Sequence, residues 1–189
     1  MLTSFLALAL IAGPTTNCPI MGSPGKAAVG QTDYKGVRVS YCCAGCQDKF
    51  EADPEKHIKA AVAKKSTWGY SLFDPVSRRV LDTKTEPKWS AVSGGVLFRF
   101  SSEANHKAFM ANPAKFNAMP SKQSLHCSVM DVPLGKVSAA ASYSDYEGTR
   151  YYHCCDSCQK MFDDAPAKWA AKVKNNVAPA KAVAAPKAS

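Results

Sequence analysis

The sequence predicts an α+β fold of small units in tandem, each a β-hairpin followed by short helices, and three observations predict it. The stretch TDYKGVRVSYCCAGCQDKFEADPEKH, Thr32 to His57, returns as SDYEGTRYYHCCDSCQKMFDDAPAKW, Ser144 to Trp169. The offset is a constant 112 positions, carrying Cys42, Cys43 and Cys46 onto Cys154, Cys155 and Cys158 without a gap. Between the two, residues 67 to 120 follow the same plan without cysteine: an offset of 59 sets Gly95, Phe109, Pro113 and Lys115 on Gly36, Phe50, Pro54 and Lys56. Self-similarity at this period marks repeated supersecondary units. Units of roughly 50 residues bury little core of their own and need a metal, disulfides or a docked neighbour.

Each unit reads the same way along the chain. A turn containing Gly36, Gly95 or Gly148 separates two β-prone runs, the second covering Val37 to Tyr41, Val96 to Phe100 or Thr149 to His153. A short helix follows, with Cys46 and Phe50, or Cys158 and Phe162, four places apart on one face. Asp53-Pro54, Asn112-Pro113 and Ala165-Pro166 then place proline at the first position of a second helix, with Asp or Asn as its cap in two of three cases. Phe50, Phe109 and Phe162 are expected in the core. The implied division is a leader over 1–16, a first unit over 17–60, a cysteine-free unit over 67–120, a third unit over 125–171 and a tail over 173–189. Linkers are expected at Lys59 to Ser66 and Asn117 to Ser124. The tail is Ala, Pro and Lys, a composition that buries no core and predicts disorder.

The formal charge is +9, but Lys172, Lys174, Lys181 and Lys187 supply four of those charges near the C-terminal end and the rest are dispersed. Such a distribution argues against a nucleic-acid surface. The run MLTSFLALALIA is too short to span a bilayer and reads as a signal-peptide hydrophobic region, although no Lys or Arg precedes it. It predicts an exported, periplasmic or extracellular protein with no membrane span once the leader is removed; the competing reading of the run is a buried first helix of a cytosolic protein. Export would let thiols pair as disulfides, so the sequence leaves their redox state open.

All eight cysteines fall into two matching sets: Cys18, Cys42, Cys43 and Cys46, and Cys127, Cys154, Cys155 and Cys158. Four soft sulfurs per set make a soft metal ion the expected occupant, Cu(I) or Zn(II), two per chain. At the start of a helix Cys42 and Cys46 are i and i+4, while Cys43 and Cys46 are i and i+3, so either pair can face one ion. Which of Cys42 and Cys43 ligates stays open, because adjacent residues at a strand end point to opposite faces. The helix N-terminus favours the thiolate form. His57 and His153 do not occupy equivalent positions, so no shared histidine ligand is expected, and His106 and His126 read as surface residues. Met21 and Met130, each three places after the first cysteine of a set, offer either a thioether ligand or packing. The middle unit has Ser101, Ser102 and Asn105 at the thiol positions and Asp74-Pro75-Val76 near where Cys18-Pro19-Ile20 stands. It cannot hold a metal through sulfur.

The pattern Cys-Pro-Ile-Met, a hairpin with Tyr-x-Gly, then Tyr-Cys-Cys-Ala-Gly-Cys-x-x-x-Phe-x-x-x-Pro resembles the YHS and TRASH-like heavy-metal-binding domains. The middle unit, with Tyr70 to Val76 and Leu97 to Asn105, is similar to the cysteine-free YHS branch. The resemblance implies treble-clef-like units and the ligand sets Cys18, Cys42 and Cys46, and Cys127, Cys154 and Cys158. It implies capture, storage or delivery of copper, zinc or mercury, with no enzymatic activity, no catalytic residues and a structural or protein-partner role for the middle unit. Two competing readings stay open. One is an exported interaction module stapled by disulfides without metal; the other is a thiol-disulfide oxidoreductase acting through Cys43-x-x-Cys46 and Cys155-x-x-Cys158.

Overall fold

The computed structural model describes residues 15–85 and 87–185. The leader expected over 1–16 therefore lies almost wholly outside the described residues. The first stretch folds as β1 (Lys26–Tyr34), β2 (Val37–Tyr41), α1 (Cys46–Ala52) and α2 (Pro54–Ala63), followed by β3 (Gly69–Ser71). The middle stretch is β4 (Trp89–Ser93), β5 (Val96–Phe100), α3 (Glu103–Ala111) and α4 (Pro113–Phe116). After β6 (Lys122–Ser124), β7 (His126–Cys127) and β8 (Val132–Pro133) come β9 (Ser142–Tyr146), β10 (Thr149–His153), α5 (Asp156–Asp164) and α6 (Pro166–Lys172). The chain closes with β11 (Val177–Pro179) and β12 (Val183–Ala184). The mixture of helix and strand is the α+β class that the sequence predicts.

The three hairpins turn by the same device. Lys35 and Gly36, Gly94 and Gly95, and Glu147 and Gly148 all have positive φ, the two-residue geometry whose twist matches that of paired strands. Each hairpin leads to two short helices broken at Asp53, Asn112 or Ala165, where φ lies near −150° and proline opens the second helix. Asp53 and Asn112 accept the backbone N–H of Lys56 and Lys115 as caps, and Ala165 has no side chain to do so. Across the first hairpin Asp33 and Arg38 form a buried bidentate pair (2.7 and 2.9 Å), repeated in the third by Asp145 and Arg150 (2.8 Å twice). At the same register the middle hairpin pairs Val92 with Leu97.

The hairpins do not stand apart. One six-stranded sheet runs β12-β1-β2-β3-β5-β4, so β3 joins the first hairpin to the middle one, antiparallel to β2 and parallel to β5. Gly69 makes this possible: a Cβ there would sit 2.6 Å from Val37 Cγ1 and 2.8 Å from the Arg38 carbonyl oxygen. A second sheet runs β11-β6-β10-β9, with β6 parallel to β10 as β3 is to β5. The largest core cluster accordingly mixes Tyr34, Val39, Tyr41 and Phe50 with Trp68, Phe98, Phe100 and Phe109. Another packs Leu72 and Phe73 against Val137, Tyr143 and Tyr152. Arg150 fastens the junction, lying over the Tyr143 ring (3.9 Å) and donating to the carbonyl oxygens of Lys35 (3.2 Å) and Ala118 (2.8 Å). Small cores have been merged.

Three expectations are corrected. The Lys59 to Ser66 linker is helical through Ala63, because the proline-started helix has no breaker to stop it earlier. The Asn117 to Ser124 linker ends in β6, which supplies the inner edge partner of β10. The tail is ordered through Ala185: Val177–Pro179 pairs with β6, and Val183–Ala184 pairs with β1 at Asp33 and Thr32. Composition argues only about side-chain burial, whereas strand pairing uses backbone groups that Ala and Val carry like any residue. No helix among the described residues is long and apolar enough to cross a membrane.

Candidate metal centres

Each site begins with a tight turn that the chain makes three times. Gly22 N donates to Cys18 O (2.8 Å), Arg78 N to Asp74 O (2.7 Å) and Asp131 N to Cys127 O (2.8 Å), and Gly22, Arg78 and Asp131 all take positive φ. The flanking bridges Asn17 to Pro24, Phe73 to Val80 and His126 to Pro133 close the turns at one spacing. Each turn presents its first residue, Cys18, Asp74 or Cys127, to the end of the following hairpin and the start of the helix beyond it.

There the sulfurs gather. Sγ atoms of Cys18, Cys42 and Cys46 lie within 4.8 Å of one another, as do those of Cys127, Cys154 and Cys158. All eight cysteines are free. In the second set Cys154 is 3.5 Å from Cys127 and 3.9 Å from Cys158. Cys43 and Cys155 stand outside these sets, each in contact with the helical cysteine of its cluster: Cys43 to Cys46 at 2.7 Å, Cys155 to Cys158 at 2.8 Å, with Cys155 also 3.2 Å from Ser157 Oγ. The helices start differently, since Gly45 takes a left-handed conformation (φ 78°) ahead of α1 whereas Asp156 and Ser157 are already helical in α5. Met21 and Met130 are exposed (64% and 59%), so neither packs into the core. His126 bonds Asp131 (2.7 Å) and His106 lies on the Phe100 ring, so both are otherwise engaged.

The electrostatics of each set are uneven. Burial opposes ionisation of Cys18, yet backbone N–H groups of Met21, Cys42 and Ile20 outweigh it and hold the thiol below its ordinary range. Burial and the neighbouring sulfurs push Cys42 and Cys46 up. The second set repeats this: Cys127 is brought down to about 6 against its burial by His153, the N–H groups of Cys154 and Met130, and the Cys154 thiol, while Cys154 rises to about 11 and Cys158 higher still. One thiolate per set is stabilised by the protein alone. A further thiolate would face an existing negative charge in a buried place, and a cation is what removes that penalty. The donors fit a soft metal ion.

His153 distinguishes the second set. It is fully buried where the first set has Tyr41. Ser144 Oγ donates to Asp163 Oδ1 (2.7 Å) and so accepts from His153 Nε2 (3.0 Å), while the buried Nδ1 has no hydrogen-bond partner and the ring favours the Cys127 thiolate. His153→Tyr is therefore expected to move Cys127 upward from about 6 but to leave it below an ordinary thiol, because the two backbone donors stay. A pH titration of ultraviolet thiolate absorbance on reduced, metal-free protein reads this. The linkage has a sign: this thiolate contributes stability at pH above the unfolded thiol's value and loses it as pH falls through about 6. The sequence set His153 aside as a shared ligand because its counterpart is Tyr41, and did not show its place beside Cys127.

The middle stretch answers the same geometry without sulfur. Asp74, fully buried, accepts from Ser101 N (2.8 Å), Ser101 Oγ (2.6 Å) and Asn105 Nδ2 (2.7 Å) through one oxygen, and from Val76 N (2.9 Å) and Ser77 N (3.2 Å) through the other. Asp74, Ser101 and Asn105 stand where Cys18, Cys42 and Cys46 stand. A carboxylate ringed by donors replaces thiolates ringing a cation, and the same backbone closes on it.

No curated protein and no solved structure matches the chain. Two three-sulfur sets fit metal binding, and so does the family comparison. Residues 135–173, which hold Cys154, Cys155 and Cys158, match the family model described as the YHS domain, which supports placing that stretch in the YHS family.

Proposed function

We propose that the protein binds soft metal ions, one in each three-sulfur set, and serves to capture, store or deliver copper, zinc or mercury. The observation that supports this most is the recurrence of three uncrosslinked sulfurs within 4.8 Å at equivalent positions of two stretches. Three sulfurs suffice for Cu(I), whereas tetrahedral zinc takes a further ligand, so Cu(I) is the preferred cargo. The role is that of a carrier, without catalysis: Cys18, Cys46, Cys127 and Cys158 are buried, which suits holding an ion more than turning over a substrate. Export to a periplasmic or extracellular space completes the reading and rests on the apolar leader. A protein partner would dock on the middle stretch, where Val92 and Met110 are exposed.

Metal content by mass spectrometry together with free-thiol titration, on protein purified without chelator from its native compartment, tests the proposal. About two soft metal ions per chain are expected. Absence of metal with no free thiols would overturn it in favour of a disulfide-stapled module.

A further inference from the structure

Each cluster contains one cysteine that its three-sulfur set does not use. Cys43 Sγ sits 2.7 Å from Cys46 Sγ and Cys155 Sγ 2.8 Å from Cys158 Sγ, both inside the roughly 3.5–4 Å of ordinary non-bonded contact. The contact recurs although the intervening residues differ, Ala44-Gly45 against Asp156-Ser157, and although one helix begins two residues later than the other. Access is polarised in both. Cys43 is exposed and Cys155 half-exposed, while Cys46 and Cys158 are buried. A reagent from solvent reaches the outer sulfur first and finds the inner one already in place behind it.

We propose that Cys43 with Cys46, and Cys155 with Cys158, are reversible redox-modification sites at which a low-molecular-weight disulfide closes the pair and expels the metal. The proposal rests on the metal-binding reading, because Cys46 and Cys158 belong both to the outer pair and to the three-sulfur set. The chemistry balances as two exchanges. The Cys43 thiolate attacks one sulfur of the small disulfide, forming a mixed disulfide and expelling one small thiolate. The Cys46 sulfur leaves the metal and attacks Cys43 Sγ, forming the protein disulfide and expelling the second thiolate. Two electrons pass from the cysteine pair to the small disulfide, which departs as two thiols, and the metal keeps its oxidation state. The ion is left with two protein sulfurs in place of three. An excess of small thiol reverses both exchanges and restores the site.

The experiment uses the metal-loaded full chain treated with oxidised glutathione, with released metal followed by a chromophoric chelator and disulfides located by peptide mapping. Release is expected to keep pace with the Cys43–Cys46 and Cys155–Cys158 disulfides, and dithiothreitol is expected to restore binding. The Cys43→Ser, Cys155→Ser double variant is expected to retain both ions and to release them at least about tenfold more slowly under the same oxidant, since the attacking and resolving thiols are no longer paired. Equal release from that variant, disulfides joining other cysteines, or loss of metal from the variant before oxidation would each overturn the proposal. Mapping on metal-free protein separates the two readings. Closure of the two pairs there, with no ion ever bound to the untreated chain, would sink the metal reading and leave the redox sites standing.

Discussion

Replacing Cys46 by serine is expected to remove one of two bound metal ions, Cys158→Ser the other, and the double variant both. A serine hydroxyl is a hard and weakly acidic donor, so each change leaves a soft ion with two protein sulfurs of the three that surround it. The loss should exceed the roughly 10- to 100-fold that follows from disturbing groups behind the ligands, because a ligand itself is removed. The fold should survive, since the middle stretch makes the same turn, hairpin and helix with no sulfur. Metal per chain after a mild chelator challenge, read beside far-ultraviolet circular dichroism, checks both halves. Retention of two ions by the double variant would sink the site assignment. The separate effects of the single variants also test whether the two sets act independently, as their separate positions on β2 to α1 and β10 to α5 imply.

Asp74→Ala is expected to act in the opposite way, lowering stability while leaving metal binding at two ions. The substitution strands three backbone N–H groups, of Val76, Ser77 and Ser101, together with the Ser101 hydroxyl and the Asn105 amide. Leaving a hydrogen-bonded network of this kind without its buried charge costs about 3–5 kcal/mol, which is a large share of a small protein's stability. The protein holds this carboxyl below its usual range by those same donors, working against its burial. Urea denaturation of metal-loaded protein provides the measurement. A midpoint unchanged from that of the parent would show that the five hydrogen bonds contribute nothing net.

The contrast between these two expectations shows what could be read from the chain before it folded. The strands Val37–Tyr41, Val96–Phe100 and Thr149–His153 and the proline-started helices were legible because their signals are local: a glycine-containing turn between β-prone runs, and proline at the first helical position. The cysteine sets were legible because chemistry repeated at constant spacing. Asp74 was aligned near the position that Cys18 holds in the first unit but not recognised as the acceptor at the centre of its unit, since nothing local tells a carboxylate which donors will converge on it. The division of labour between Cys42 and Cys43 turned on how strand and helix meet, and Gly45 alters that meeting in one stretch but not in the other. Most distant from local reading was β3. Three residues, Gly69 to Ser71, carry little periodicity, yet they join two hairpins into one sheet because a glycine lets two backbones approach.

The pairing of β12 with β1 links residues about 150 positions apart, a separation at which contacts form late in folding. Until Val183 and Ala184 arrive, the outer edge of β1 presents unpaired N–H and C=O groups at Thr32 and Asp33. An open edge is a template for pairing with any extended chain, including another copy. The described tail therefore forms a cover: Pro179 and Lys181 ahead of the short strand discourage further strands from adding outside it, and Val183–Ala184 seals the strand beneath. A chain shortened before Val183 would keep all eight cysteines and expose a sticky edge beside the first of its two sulfur sets.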